Sequence, residues 1–161
     1  MLELALLEAT IVACYAGAEA LDSWKPPRGH AERVAGDELW ILGPRSERCE
    51  LLRAVEDSLR AVVPGALVID QTDGWAAWRL SGTDAAHAMA RLTILRLDRQ
   101  DGRLHQGAVA GVPAKVILSE SDYRIFVPSP VGHHLRDRVL EACGDLAPTM
   151  GSPRGFDGSV G

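Results

Sequence analysis

Five histidines, three cysteines and a closely spaced pair of aspartates are the residues from which this chain could build a reaction centre or a metal site. The histidines are His30, His87, His105, His133 and His134, and none stands at H-x-x-x-H or H-E-x-x-H spacing. His133 and His134 are neighbours on a segment that reads as a helix. Their side chains diverge by about 100° and cannot face one metal ion together, so one is expected exposed and the other half-buried. His105 falls in a strand and reads as a packing or interface residue. Cys14, Cys49 and Cys143 are odd in number and widely spaced, with no C-x-x-C pair. They read as buried free thiols of a reducing compartment. Asp70 and Asp73 bracket a turn ahead of Trp75, where aspartate side chains serve by bonding the local backbone. There is no G-x-G-x-x-G, P-loop or G-x-S-x-G. No catalytic, cofactor-binding or metal-ligating residue is therefore assigned.

The aromatic residues point elsewhere. Trp24, Trp40, Trp75 and Trp78 stand against only two Phe and two Tyr. Trp75 and Trp78 have opposite parity on one strand, so they face opposite sides. One enters the core, with Trp78 preferred, and the other needs cover from a helix or another chain. Large aromatics and arginines anchor interfaces, which makes Trp75, Trp78 and Arg79 the interface candidates.

The elements that must hold these residues follow from pattern. Residues 1–9 read as a short helix or an extended arm, Thr10–Tyr15 as a strand, and 22–36 as a polar loop broken by Pro26-Pro27. Leu39–Leu42 is a buried strand stopped by Gly43-Pro44. Ser46 is the expected N-cap of a helix whose inner face is Leu52, Val55, Leu59 and Val62, ended by Pro64-Gly65. Ala66–Ile69 and Trp75–Leu80 are strands. Thr83 is the expected cap of a helix from Asp84 to Leu92, with Ala85, Ala86, Met89 and Leu92 inward. Residues 94–103 read as a loop with a turn at Asp101-Gly102. Leu104–Ala110 and Val112–Leu118 form two strands joined at Gly111, and residues 120–122 turn the chain into the strand Tyr123–Val127. Ser129 caps a last helix, with Pro130 at its first position and Val131, Leu135, Val139 and Cys143 on one face.

The segments Asp37–Ser46 and Asp122–Pro130, each with the helix after it, share one design: an acidic turn residue, an apolar strand, a proline stop, a serine and an amphipathic helix. The repeat points either to two related halves or to the punctuation any strand–helix unit uses. In both cases it predicts an α+β fold, a duplicated ferredoxin-like pattern, rather than a doubly wound parallel sheet. The tail 147–161 is dominated by Gly, Pro and Ser, cannot build its own core, and is expected to dock on a partner.

Bulk properties exclude some classes. With 161 residues and a net charge of −5, the chain is one domain's length and carries no basic stripe for nucleic acid. The apolar N-terminal stretch has no basic start, and Glu3, Glu8 and Glu19 make it costly as a membrane span, so the chain is expected to be cytoplasmic.

The stretch Asp70–Ala85 (DQTDGWAAWRLSGTDA), with Leu39-Trp40-Ile41-Leu42-Gly43-Pro44 before it and Gln106–Leu118 and Tyr123–Ser129 after it, resembles the gamma subunit of heterotetrameric sarcosine oxidase. The resemblance covers residues 37–144 best and assigns 1–146 to one gamma-like domain. Arg45-Ser46-Glu47-Arg48 departs from the acid–Glu–Trp element of that family, and the tail has no counterpart in it. The wider relatives are the folate-binding aminomethyltransferase (T-protein) domain and its tRNA-modifying cousins. The resemblance implies a T-protein-like single domain and a non-catalytic place beside alpha, beta and delta subunits. It implies a complex that oxidatively demethylates N-methyl amino acids such as sarcosine or related amines. FAD, FMN, NAD, tetrahydrofolate and zinc would sit on the other subunits and none on this chain. It also leaves a second reading open, a stand-alone tetrahydrofolate-binding one-carbon protein in which Asp70 or Asp73 contacts the pterin.

Overall fold

The computed structural model describes residues 1–97, 104–119 and 122–157. The expected turns at Asp101-Gly102 and 120–121 lie outside the described residues. The chain divides into two compact units, one formed by Met1–Leu7 and Gly74–Arg154, the other by Glu8–Asp73 and residues 155–157. Each is α+β, with antiparallel strands backed by helices, as the alternation of strand and helix patterns predicts.

In the unit built on residues 8–73, strand β1 (Glu3–Tyr15) contributes its second half. The segment left open between helix and arm is therefore strand, continuous with the β-branched run TIVACY. Strand β2 (His30–Ala35) lies within the stretch 22–36 expected to be loop, and helix α1 (Ala18–Ser23) ends at its start. Both are short, and β2 is an edge strand whose sequence HAERVA lacks the apolar run that marks a buried one. Strand β3 (Glu38–Pro44) pairs antiparallel with β2 and with Ala9–Tyr15. Helix α2 (Arg48–Val62) follows, and strand β4 (Leu67–Asp70) pairs with Val12–Tyr15.

The apolar face of α2 is Leu51, Val55 and Leu59, with Leu52 half-buried and Val62 exposed. Val62 thus lies outside the face, while Val55 and Leu59 are buried as the spacing predicts and Leu51 rather than Leu52 is the fully buried residue of the first turn. These side chains close over Val12, Cys14, Leu39 and Ile41, and each fully buried Leu, Ile or Val contributes about 1.5–3 kcal/mol. Cys49 on the outer face of α2 is exposed, against the expectation of three buried thiols. Cys14 is buried, and burial pushes its thiol up to about 12.

In the other unit, strands β5 (Trp75–Ser81), β6 (Leu104–Val109), β7 (Val112–Leu118) and β8 (Asp122–Pro128) run in the order β5-β8-β7-β6, all antiparallel. Glu3–Leu6 of β1 pairs with β5. The β6–β7 link is a two-residue turn with φ 52° at Ala110 and 81° at Gly111, the left-handed geometry tight hairpins need. Helices α3 (Ala85–Leu92) and α4 (Gly132–Ala142) cover one sheet face, packing Ala85, Ala88, Met89, Leu135 and Val139 on Leu80, Val116, Ile125 and Val127. Ala88 is buried where Ala86 was expected. Strand β9 (Thr149–Met150) of the tail runs parallel to Glu3 and Leu4.

The serine and threonine caps are not made. Glu47, Asp84 and Val131 occupy the N-cap positions of α2, α3 and α4, with no side-chain cap bond. A 3-10 turn follows each proline stop instead, over Arg45–Glu47 and Ser129–Val131. The two junctions match closely. Pro44 has φ −60°, ψ 141° and Pro128 φ −51°, ψ 133°, while Glu47 has φ −104°, ψ 17° and Val131 φ −106°, ψ 8°. Among the described residues no helix is long and apolar enough to cross a membrane.

Candidate functional site

The strand parity that separates the two tryptophans holds. Trp78 is buried in the core beneath α4, and Trp75 is half-buried at the start of β5. Arg79, on the same face as Trp75, gives its Nε to Asp122 Oδ2 at 2.5 Å. Asp122 is buried, accepts Ser119 Oγ at 2.9 Å, and lies 3.5 Å from Nε of the buried Arg124.

Trp75 is one wall of an open cleft of about 380 Å³ over β6 and β7. Register sets the rest of it. Lys115 stands opposite Phe126 on β8 and opposite Gln106 on β6. Its Nζ lies 4.8 Å from the Trp75 ring centroid, within cation–π range, and donates to Gln106 Oε1 at 3.0 Å. Small residues, Gly107 and Ala108 on β6 and Ala114 on β7, keep the floor low.

A second cleft, of about 370 Å³, lies in the other unit. His30 of β2 stands opposite Leu42 of β3, and its Nε2 is 2.6 Å from Oε1 of the buried Glu32. The Phe156 ring comes in from the tail, 6.4 Å from the His30 ring and tilted 42°, with Asp157 beside it in the lining.

Asp70 and Asp73 are spent on structure. Asp70 Oδ1 accepts the Thr72 N–H at 3.0 Å, and its Oδ2 accepts Arg48 Nε at 2.6 Å. Asp73 accepts Arg45 at 2.6 Å and Arg48 at 2.8 Å. Burial alone would raise the Asp70 carboxyl, but the bonds from Thr72 and Arg48 outweigh it and hold it below the ordinary 3.8. A carboxyl depressed in this way stabilises the fold above about pH 4 and loses that contribution as pH falls through its folded value. The melting temperature of Asp70→Asn is therefore expected to lie below wild type near neutral pH and to converge on it as the pH falls through the depressed folded value of the carboxyl, as thermal melts into the acid range would show.

His133 and His134 are both exposed on α4, and His87 is exposed on α3. Among the described residues no group of three or more His, Cys, Asp or Glu could hold a metal ion.

No protein-family model and no curated protein sequence matches this chain. Solved structures do. A chain of heterotetrameric sarcosine oxidase from Corynebacterium sp. U-96, in complex with pyrrole 2-carboxylate, superposes with a TM-score of 0.72 at 16% identity, covering 92% of this chain and 86% of that one. Its fold is this fold. The glycine cleavage system aminomethyltransferase T from Bartonella henselae follows with a TM-score of 0.60 at 14% identity, over 98% of this chain and 49% of that one. The present chain thus spans about half of that protein. The regulatory subunit of aspartate kinase from Thermus thermophilus gives 0.52 at 13%, over 86% and 96%. At these identities the likeness is one of fold, and it matches the T-protein-like α+β architecture expected from the sequence.

Sequence reasoning named Trp75, Trp78 and Arg79, and the structure brings Trp75 to a cleft, buries Trp78 and ties Arg79 to Asp122. It missed Lys115, His30, Glu32 and Phe156. For His30 and Glu32 the available signal was their i, i+2 spacing, which sets both on one face of a strand.

Proposed function

We propose that this chain is a gamma-type, non-catalytic assembly subunit of a sarcosine oxidase-like heterotetrameric flavoenzyme that oxidatively demethylates N-methyl amino acids or related amines. The observation carrying this reading is whole-chain correspondence: the likeness to the sarcosine oxidase chain runs over 92% of one and 86% of the other, whereas only half of the aminomethyltransferase is matched. The use of the conspicuous ionisable groups in ion pairs, Arg45, Arg48, Asp70 and Asp73 in one unit and Arg79, Asp122 and Arg124 in the other, agrees with a supporting role. In this reading alpha, beta and delta subunits are the partners, and FAD, FMN, NAD, tetrahydrofolate and zinc belong to them. Affinity-tagged chain, expressed in its native host and purified gently, is expected to bring down larger polypeptides with flavin absorbance. Recovery of the chain alone overturns the assignment. Calorimetry with tetrahydrofolate on that isolated chain then tests the one-carbon alternative, which the aminomethyltransferase fold favours and which requires micromolar binding.

A further inference from the structure

The two units finish their sheets differently at one equivalent edge. Pro44 stands opposite Ala9 of β1, and Pro128 opposite Trp75 of β5, and both prolines lead into turns of matching backbone conformation. The second half of β1 and β5 therefore hold equivalent places. Away from the proline strands, β5 pairs with residues 3–6, and the second half of β1 pairs with β4. The registers make Leu4, opposite Leu80, the counterpart of Val68, opposite Cys14, and Leu6 that of Asp70.

An antiparallel ladder turns the main-chain groups of alternate residues toward one neighbour and then away from it. Gln71 donates its N–H to Ile11 O at 2.8 Å, so Gln71, Ile69 and Leu67 bond β1, while Val68 and Asp70 turn their N–H and C=O groups outward. In the other unit the matching edge is closed. Leu2 O accepts the Thr149 N–H at 3.0 Å, Leu4 O accepts the Gly151 N–H at 2.9 Å, and β9 runs there as an added strand. Among the described residues no strand pairs with the outer side of β4. The edge is also undefended. At the opposite edge of the same sheet, β2 carries His30, Glu32 and Arg33 and a register shift between Arg33 and Ala35, which discourage a further strand. Leu67, Val68 and Ile69 carry no charge and no proline, and Leu67 and Ile69 are 51% and 38% exposed.

We infer that β4 receives a short extended segment of a partner subunit as an added strand, in the place that residues 149–151 take beside residues 2–4. The inference rests on the subunit role proposed above. Main-chain bonds to Val68 and Asp70 supply the pairing, and apolar side chains over Leu67 and Ile69 supply the burial. A small residue belongs beside Leu67. Gly151 lies against its counterpart Glu3, where an added Cβ would come within 2.7 Å of that side chain.

The test reads amide hydrogen exchange residue by residue on the full-length tagged chain, alone and in the complex recovered gently from its native host. The Val68 and Asp70 amides are expected to exchange at least about tenfold more slowly in the complex, and those of Leu67 and Ile69, already bonded to β1, to change little. Val68→Pro removes an outward donor, a change that edge strands accept. It should keep the wild-type melt and lower partner recovery by about tenfold or more, whereas Ile69→Pro, which removes a bond to β1, should lower the melt itself. Should Val68→Pro fail to fold, exchange in the wild type decides alone. A recovered partner with no slowing at Val68 and Asp70 overturns the edge contact and leaves the subunit role standing. Undiminished recovery by a folded Val68→Pro does the same. Wild type that recovers only further copies of itself, or nothing, overturns both.

Discussion

Asp122→Ala is expected to lower the unfolding free energy by about 3–5 kcal/mol, the cost of removing one member of a buried ion pair. Asp122 opens β8 with almost no exposed surface and meets two guanidinium groups. Its Oδ2 takes Arg79 Nε at 2.5 Å, and its Oδ1 lies 3.5 Å from Nε of Arg124, which is only 2% exposed. The Ser119 hydroxyl, which donates to Oδ1 at 2.9 Å, ties the preceding chain to the same carboxylate. With alanine, the buried Arg124 charge loses this carboxylate and Ser119 loses its acceptor. Asp122→Asn keeps the shape but not the charge and should fall close to alanine. The check is urea unfolding: a lowered midpoint with an unchanged m-value. A loss under about 1 kcal/mol in both variants would show that the carboxylate does not hold the guanidinium groups.

Trp40→Ala is expected to cost about 3–5 kcal/mol, because a fully buried indole leaves a cavity that the surrounding sheet cannot close. Trp40 sits mid-β3, opposite Ala13 of β1 and Glu32 of β2, and the small neighbour on one side leaves room for the ring. Its Nε1 donates to Glu38 Oε1 at 2.9 Å, the atom that also accepts the Tyr15 hydroxyl at 3.1 Å, and Gln71 Nε2 donates to that hydroxyl at 3.0 Å. Trp40→Phe retains most of the apolar volume and removes the donor, so its cost should be nearer 1 kcal/mol. Comparing the two by chemical unfolding separates volume from hydrogen bonding. Equal losses would show that the Glu38 contact, not the cavity, dominates.

Elements with strong periodicity were legible: α2, α4 and the β6–β7 hairpin lie where spacing and turn residues placed them. Elements held mainly by tertiary pairing were not. β2 carries a histidine, a glutamate and an arginine in six residues and becomes a strand because β3 offers it a free edge. In β1, Leu4, Ala5 and Leu7 are buried while Leu6 and Glu8 are exposed, and Ala9–Cys14 is buried on both faces, so the strand carries no steady period-two signal. Ser46 and Ser129 read as caps because only the residue type is visible in sequence; a proline-led 3-10 turn supplies the helix entry instead. Of the candidate site, parity revealed Trp75, since it needs only the strand. Lys115 and His30 became informative only through cross-strand register, which pairs residues far apart in the chain.

Strand β1 serves both units, Ala9–Tyr15 pairing with β3 and Glu3–Leu6 with β5. During synthesis these two stretches meet their neighbours at different times. Glu38–Pro44 leaves the ribosome soon after β1, so the second stretch can pair early. The first must wait for Trp78–Ser81, and for Thr149–Met150 on its other side. Until then Leu2 and Leu4, both destined for the interior, remain uncovered on a nascent chain whose later portion is already partly folded. Glu3–Leu6 is therefore the last part of β1 to acquire its neighbours.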